Sequence, residues 1–263
     1  MDLKLNGKTA VVTGSTAGIG LEIARHLAAE GADVIVCGRG REKVEAAVAG
    51  IRESGGASVR GVVADVTAGD GAAALIAAAG QVDILVNNLG IYESKSFGDI
   101  TDDDWRRFFD VNVISGARLA RAVLPKMLER NAGRIIFVSS ESALAVPKDM
   151  IHYAVTKTAQ LTIARGLAEL TKGTKVTVNS VLPGPTRAEG IEAFLRSQAT
   201  DPSAPLETLE AEFFAKARAG SLIQRMIDPA EVASLVAYLA SPLSSATNGA
   251  ALRVEGGLIP TIA

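Results

Sequence analysis

The chain has few of the residues that build metal centres and disulfide frameworks. Its 263 residues include one cysteine and two histidines. The single thiol, Cys37, excludes an intramolecular disulfide and a multi-thiolate metal site, and two histidines exclude a histidine-rich cluster. Cys37 lies in the apolar run ADVIVCG, which is typical of a buried structural cysteine. We therefore expect no metal site and a reducing compartment.

An excess of either charge is also lacking, because 27 basic residues stand against 29 acidic ones and the formal net charge is −2. The basic residues are scattered, so nothing indicates nucleic acid or an anionic membrane as a partner. The amino-terminal stretch lacks the charged-then-apolar pattern of a signal peptide, and no apolar run approaches the ~18 residues of a membrane helix. We expect a cytoplasmic protein.

Short runs rich in Val and Ile alternate with Ala-rich segments of helical spacing. The predicted strands are 9–14, 33–38, 58–65, 82–88, 134–140, 175–182 and 251–257. The predicted helices are 18–30, 40–53, 70–79, 102–130, 151–172 and 229–240. Most strands are nearly continuously apolar, as in strands buried on both faces. The alternation predicts an α/β fold, a Rossmann-type doubly wound parallel sheet of about seven strands in the order 3-2-1-4-5-6-7 with helices on both faces.

One region interrupts the alternation, since no strand is predicted between Pro183 and about Gln224. It is interpreted as a substrate-loop insertion at about 187–224 within a single domain, 1–263. Two amphipathic pieces, 190–198 and 206–219, carry apolar side chains that could form a lid over a substrate or pack the loop on the body or on another subunit. These side chains are Ile191, Phe194, Leu195, Phe213 and Phe214.

The stretch TGSTAGIG, Thr13 to Gly20, follows the first predicted strand and opens the first helix. Gly14 permits a tight turn, Gly18 lets the backbone approach a pyrophosphate, and Gly20 lets the helix pack close to the sheet. The helix start supplies free N–H groups for phosphates. The predicted strand before this glycine turn and the predicted helix after it are the context that supports a dinucleotide site. A glycine-rich turn without a ligand is the alternative.

The glycine spacing G-x-x-x-G-x-G, together with YAVTK further on, resembles the short-chain dehydrogenase/reductase superfamily in its single-domain branch. The resemblance runs from about Leu5 to Gly257 and includes motifs in family order: ADV at 64–66, NNLG at 87–90, Asn112 in DVNV, Ser140 in VSS and LPGPT at 182–186. It is similar to 3-oxoacyl-reductase-like members. Leu89 is the clearest departure, because the family more often has Ala there.

The end of the second strand bears on the choice of nucleotide. In a dinucleotide fold an acidic residue there bonds the 2′-hydroxyl of NAD, and an arginine accommodates the 2′-phosphate of NADP. Family members that use NAD usually carry Asp at the position of Gly38, and Arg39 follows. NADP(H) is therefore favoured over NAD(H). NAD stays open as the alternative, because Ala17 is not basic and Arg41 is also typical of a solvated helix start.

The resemblance implies further contacts to the dinucleotide. Asp65 would accept from the adenine amino group, and Thr186 would bond the carboxamide. The full expected set is Gly14, Ser15, Thr16, Gly18, Ile19, Gly20, Arg39, Asp65, Val66, Asn88, Gly90, Tyr153, Lys157, Pro183, Gly184 and Thr186. An ordinary Pro/Gly loop explains the turn at 183–186 equally well.

Four residues are the expected catalytic set. Tyrosine has a pKa of ~10, and the ammonium of Lys157, one helical turn beyond Tyr153, is expected to lower the pKa of that phenol. Ser140, at the end of the fifth strand, can donate to a substrate carbonyl oxygen. Asn112 either holds a water behind Lys157 for proton relay, as the resemblance implies, or is a buried core amide satisfied by backbone.

The residues next to this catalytic set are not expected to be catalytic themselves. His152 has no evident carboxylate partner, so a pocket-wall or solvated position is expected rather than a catalytic one. Glu141 and Met150 are candidate pocket residues, and Ser139 and Ser142 are expected to be structural or pocket-lining.

The predicted function is hydride transfer between NADP(H) and a ketone or secondary alcohol, a small-molecule substrate whose identity the sequence does not reveal. An NAD-dependent dehydrogenase of the same fold and a non-catalytic nucleotide-binding regulator or scaffold are the alternatives. Sugar-nucleotide epimerisation fits poorly, because such members usually carry a different glycine spacing and a larger C-terminal domain. The long helices 102–130 and 151–172 predict a homo-oligomer, a dimer or tetramer as in the family.

Overall fold

A parallel sheet organises the computed structural model, which describes residues 2–55, 58–188 and 190–262. Its strands within these residues are β1 Thr9–Thr13, β2 Asp33–Gly38, β3 Val59–Val63, β4 Ile84–Asn87, β5 Gly133–Val138, β6 Val176–Pro183 and β7 Ala251–Val254. Their order is β3-β2-β1-β4-β5-β6-β7 and every pairing is parallel. The predicted fold and strand order are confirmed.

Helices connect the strands and cover both faces of the sheet. They are α1 Gly18–Ala29, α2 Arg41–Glu53, α3 Gly69–Ala79, α4 Asp102–Phe109, α5 Ser115–Glu129, α6 Ile151–Glu169, α7 Ile191–Gln198, α8 Leu206–Lys216 and α9 Pro229–Ala240. In the described ranges none of them combines the length and the apolar character that crossing a bilayer needs.

Two apolar layers fill the space between sheet and helices. One layer joins the sheet to α1, α2 and α9, and the other joins it to α3, α5 and α6. Strands β4, β5 and β6 are buried along their whole length, as predicted. Burial is lower in the two edge strands, since most residues of β3 and all of β7 are not fully buried. Each of these strands has only one neighbour in the sheet.

The predicted helix 102–130 is interrupted at the position that matters most. A π-helical turn, Asp110–Ile114, separates α4 from α5 and contains Asn112. Such a turn inserts one extra residue into the helix and is frequent at functional sites. The start of α4 is fixed by a capping box in which Thr101 and Asp104 satisfy each other's backbone N–H groups.

The insertion forms a small apolar cluster of its own beside the sheet edge. Helices α7 and α8 bury Leu195, Phe213 and Phe214 against one another and against Met226. Ile191 and Phe194 are partly buried on the same cluster. Packing within the loop therefore accounts for much of its apolar character.

Candidate active site

The site lies at the carboxyl ends of the central strands, where β1 and β4 are neighbours and the strand order reverses. Loops leave in opposite directions at such a point and open a crevice. Gly14 follows β1, Asn88 follows β4, and Ser140 lies two residues beyond β5. The topology alone thus brings the glycine turn and the candidate catalytic serine to one edge of the sheet.

The glycine turn has the geometry that its sequence predicts. Gly14 and Gly18 have φ angles of 60° and 53°, in the left-handed region that favours glycine. A Cβ on Gly20 would stand 2.3 Å from the carbonyl oxygen of Gly14, so only glycine permits this approach of α1 to the turn. Asn88 braces the turn, because its Nδ2 donates to the carbonyl oxygens of Thr13 and Gly14 at 3.0 and 3.1 Å.

A cavity of about 390 Å³ lies beside the turn. Its lining includes Gly14, Thr16, Arg39, Lys43, Asp65, Val66 and Leu89. Asp65 Oδ1 accepts from the backbone N and the hydroxyl of Thr67 at 3.0 and 2.6 Å. The Thr67 hydroxyl is the main reason that the pKa of Asp65 lies below its ordinary value, and the charge of Arg39 adds to it. Asp65 is thus an ionised acceptor at the cavity wall.

A second cavity, of about 220 Å³, meets the first at Ile91. It is lined by Ile19, Asn88, Gly90, Ser140, Glu141, Met150, Tyr153, Lys157, Pro183, Gly184, Thr186, Phe194, Phe213 and Arg218, among others. The lining thus combines the ends of β4, β5 and β6, the start of α6, and helices α7 and α8 of the insertion. Half of the expected site residues are brought together here.

Ser140, Tyr153 and Lys157 face this second cavity. The Lys157 ammonium lies 5.6 Å from the centre of the Tyr153 ring and donates to the carbonyl oxygen of Val138 at 3.0 Å. Ser140 Oγ accepts from the Ser142 backbone N at 3.1 Å and donates to Glu141 Oε2 at 2.5 Å. The serine proton is therefore directed at a carboxylate.

The electrostatics differ from the prediction that Lys157 lowers the pKa of Tyr153. Burial raises the pKa of Tyr153 above its ordinary value, a hydrogen bond with Ser140 opposes this in part, and the Glu141 charge adds to the rise. Burial also lowers the pKa of Lys157 to about 8. Desolvation disfavours charge on both groups, so the prediction is wrong in this structure. The phenol keeps its proton at neutral pH.

Asn112 lies inside the π-helical turn and is 1% exposed. Its Oδ1 accepts from Ile91 N at 2.8 Å, and its Nδ2 donates to the Ile91 carbonyl oxygen at 3.0 Å and to Thr156 Oγ1 at 2.9 Å. Its own carbonyl oxygen accepts from Gln160 Nε2 at 2.5 Å. These contacts match the core-amide alternative, with the side chain fixing the strand-end segment at Ile91.

Two expected dinucleotide residues turn their side chains elsewhere. Ser15 is fully buried, and its Oγ donates to the Val12 carbonyl oxygen and accepts from Cys37 N. Its side chain therefore joins β1 to β2, and the expected contact of Ser15 with a dinucleotide stays a prediction. Thr186 lines the second cavity, but its hydroxyl donates to the Gly184 carbonyl oxygen at 2.8 Å and shapes its own loop.

The buried groups near the site are structural. His152 is 0% exposed and packs between Trp105 and Phe108, so the expected pocket-wall or solvated position is wrong. Burial lowers the pKa of its imidazole. Cys37 is buried, as predicted, and burial raises the pKa of its thiol to about 12. Ser139 Oγ donates to the Lys157 carbonyl oxygen, which confirms its structural role.

Three site residues escaped the sequence reasoning. Lys43 lines the first cavity on the first turn of α2, near Arg39, and basic side chains on both sides of Gly40 were an available signal. Gln160 accepts from the Lys157 ammonium at 3.4 Å and lies three residues beyond it on α6. Arg218 comes from the segment after α8, and nothing in the sequence indicates that it reaches the cavity.

The site fits an extended dinucleotide. Two neighbouring cavities, which share Ile91, extend from Asp65 to Lys157, and side chains on the glycines of the turn would fill part of this space. At Gly38 a Cβ would stand 2.6 Å from Thr16 Cγ2, at the wall of the first cavity. Free helix N–H groups at the start of α1 supply donors for phosphates.

Comparison with known proteins places these features in a family context. A family model described as short chain dehydrogenase matches residues 8–198. The chain is 49% identical to the uncharacterized oxidoreductase YvaG of Bacillus subtilis (strain 168), with 100% of both chains covered. L-sorbose reductase from Gluconobacter frateurii, solved with NADPH and L-sorbose, superposes with a TM-score of 0.93 at 29% identity over 100% of both chains. A variant of actinorhodin polyketide ketoreductase, solved with NADPH, gives a TM-score of 0.85 at 34% identity over 96% of this chain and 97% of that one.

Proposed function

The chain belongs to the short-chain dehydrogenase/reductase family, and from that premise we propose that it transfers a hydride between NADP(H) and a ketone or secondary alcohol. It is an oxidoreductase that acts on CH–OH groups with NAD(P). The observation that carries the proposal is the meeting of Ser140, Tyr153 and Lys157 in one cavity, which shares the lining residue Ile91 with the cavity at the glycine turn. A non-catalytic regulator has no need of this arrangement.

Several residues would hold the dinucleotide. The glycine turn and the start of α1 would take the pyrophosphate, Asp65 the adenine, and Lys157 the ribose next to the nicotinamide. Pro183, Gly184 and Thr186 would lie against the nicotinamide ring, which supplies or accepts the hydride at its C4 when bound. Asn88 supports the same end of the site by bracing the turn.

The preference for NADP(H) over NAD(H) is supported by the end of β2. Gly38 leaves no carboxylate to repel a 2′-phosphate, and Thr16 Cγ2 would lie 2.6 Å from any Cβ placed there. Arg39 is exposed at the rim of the first cavity, and Lys43 lines the same cavity. Arg41 pairs with Glu45 at 3.7 Å at the exposed start of α2, so we assign it no role in binding.

Tyr153 would act as the acid in reduction and as the base in oxidation. At neutral pH the phenol is protonated, as in an ordinary tyrosine, and this is the state that donates to a carbonyl oxygen as charge develops on it. Ser140 would donate to the same oxygen. Asn112 and Gln160 would act as positioning residues, because they fix Ile91 and the Lys157 side chain rather than touch the reacting atoms.

Replacing Tyr153 by Phe tests this function. We expect turnover of a panel of ketones with NADPH to fall by about 10²–10⁴-fold, the usual contribution of a positioned acid, while the affinity for NADPH changes by less than about threefold. Tyr238→Phe makes the same change on α9, far from the cavity, and should leave both quantities unchanged. Undiminished turnover in Tyr153→Phe would remove the proposed acid.

A further inference from the structure

A carboxylate and a guanidinium face the second cavity beside the candidate catalytic serine. Glu141 directly follows Ser140 and is 5% exposed. Arg218 approaches from the segment that follows α8, with its guanidinium 5.5 Å from the centre of the Phe213 ring. The closest approach of the pair is 3.5 Å, between Arg218 Nε and Glu141 Oε1. Neither group has a place in the hydride transfer described above.

The hydrogen-bonding capacity of this pair is largely unused. Glu141 Oε2 accepts from Ser140 Oγ at 2.5 Å, but Oε1 has no hydrogen-bond donor in the described part of the chain. Arg218 Nη1 donates to the Ala217 carbonyl oxygen, whereas Nε is buried without an acceptor among the described residues. At 3.5 Å the two charges attract each other but lie beyond the usual N–H···O distance. Buried charges are stable only when they are paired and hydrogen-bonded, so both groups call for a polar ligand.

A substrate hydroxyl group satisfies the vacant position on Glu141. Its proton would go to Glu141 Oε1, beside the Arg218 guanidinium, which approaches that oxygen to 3.5 Å. The position lies next to the reacting carbonyl, because Ser140 Oγ, which would bind that carbonyl oxygen, is 2.5 Å from the other oxygen of the same carboxylate. A hydroxyl on the carbon adjacent to the reacting carbon keeps the two substrate oxygens closest together and so fits this short separation.

We propose that Glu141 and Arg218 form a subsite for a hydroxyl group adjacent to the reacting carbon, so that the substrate is a short hydroxy ketone or the matching vicinal diol. The proposal rests on the proposed function of the same cavity. On binding, the substrate hydroxyl donates to Glu141 Oε1, so the carboxylate keeps a donor when Ser140 Oγ turns its proton from Oε2 to the carbonyl oxygen. A ketone without the hydroxyl can draw Ser140 away only by leaving Glu141 unpartnered.

Two other substrate classes fit these contacts less well. A long apolar acyl chain would bury a carboxylate and a guanidinium without partners in a cavity of about 220 Å³. A carboxylate substrate would be attracted by Arg218 but repelled by Glu141, which is the more deeply buried of the two. A site built to bond a hydroxyl rejects the analogue that lacks it much more strongly than an apolar pocket rejects an extra methylene.

Hydroxyacetone and butanone provide the matched test, since they differ by a hydroxyl in place of a methyl group. With NADPH we expect the wild-type kcat/KM to favour hydroxyacetone by about 100-fold. Glu141→Leu should lower kcat/KM for hydroxyacetone by a similar factor. The kcat/KM for butanone should stay unchanged or rise, because Ser140 no longer donates to a carboxylate. Damage to the fold would lower both. Glu141→Gln, which keeps the shape and an acceptor, should give an intermediate preference.

Arg218→Met should also reduce the preference for hydroxyacetone, and Arg225→Met, at an exposed arginine bonded to Glu231, is the control that should not. Binding supplies a second readout: Tyr153→Phe protein holding NADPH should bind hydroxyacetone at least about tenfold more tightly than butanone. Equal preference in the wild type, or faster reduction of an acetoacetyl thioester than of hydroxyacetone, would overturn the subsite and leave the proposed function standing. Failure to reduce any carbonyl in the panel would overturn both.

Discussion

Two buried asparagines, Asn112 of the candidate site and Asn87 at the end of β4, allow a stability test that needs no substrate. Both are almost fully buried, at 3% and 1% exposure. Asn112 makes three side-chain hydrogen bonds, two of them to the backbone of Ile91. Asn87 makes none with any described residue from either side-chain polar atom. The same substitution at the two positions therefore removes very different interactions.

Leucine is the substitution of choice, because its shape is close to that of asparagine. Asn112→Leu leaves the N–H and the carbonyl of Ile91 without their partners, and each orphaned buried group costs about 1–3 kcal/mol. We expect a loss of about 2–6 kcal/mol in the free energy of unfolding. Asn87→Leu removes an amide whose desolvation nothing offsets, so its expected effect is between neutral and about 2 kcal/mol stabilising.

Urea unfolding followed by far-ultraviolet circular dichroism and by Trp105 fluorescence measures both variants without added nucleotide. For a chain of this size each kcal/mol corresponds to about 2–4 °C in Tm, so thermal melting provides a second measure. Thr156→Val gives an internal scale, because it removes the Thr156 contact and leaves Ile91 bonded; its cost should be smaller than that of Asn112→Leu. If Asn112→Leu and Asn87→Leu agree within about 1 kcal/mol, the structural role assigned to Asn112 is wrong.

Two further predictions concern charge. Because the pKa of Lys157 falls from 10.5 to about 8 on folding, the unfolded chain holds a proton that the folded chain has lost, and the stability of the wild type relative to Lys157→Met should rise with pH between pH 8 and 10. The expected rise across that range is about 2 kcal/mol, measured by urea unfolding; a flat difference would contradict it. Arg39→Glu should weaken NADPH binding by about 10–100-fold and spare NADH, whereas Arg41→Glu should change neither by more than about threefold. Tighter binding of NADH than of NADPH to the wild type would contradict the role proposed for Arg39 in binding the 2′-phosphate.

The fold was largely predictable because its signals are local. Continuous apolar runs mark buried parallel strands, and caps mark helix ends. The predicted helix 229–240 coincides with α9, since Asp228 forms a capping box with Glu231 and Pro229 occupies the first turn. The low burial of β3 follows from the predicted strand order, which places that strand at the sheet edge, and not from its apolar run taken alone.

The site residues also divide into those that the sequence could place and those that it could not. Gly14, Asn88 and Ser140 could be placed from the sequence because each follows a strand, and parallel strands end at one edge of the sheet. Arg218 could not be placed, since its approach depends on how α7 and α8 pack in the insertion. The contact of Gln160 with Asn112 joins two helices 48 residues apart in the chain, and the π-helical turn that presents Asn112 has no marker in the residues around it.

The spacing of Tyr153 and Lys157 also shows why a motif alone does not determine the chemistry of a site. The four-residue interval correctly places both side chains on one face of α6, and in water the ammonium would favour the phenolate. Inside the protein the same burial that brings the two groups together disfavours charge on each, so that the phenol retains its proton and the amine tends to lose one. An ordinary tyrosine is already protonated at neutral pH, and a raised pKa makes the phenol a weaker proton donor. The spacing of the two residues therefore predicts which side chains meet, but not the pKa that each of them has once buried.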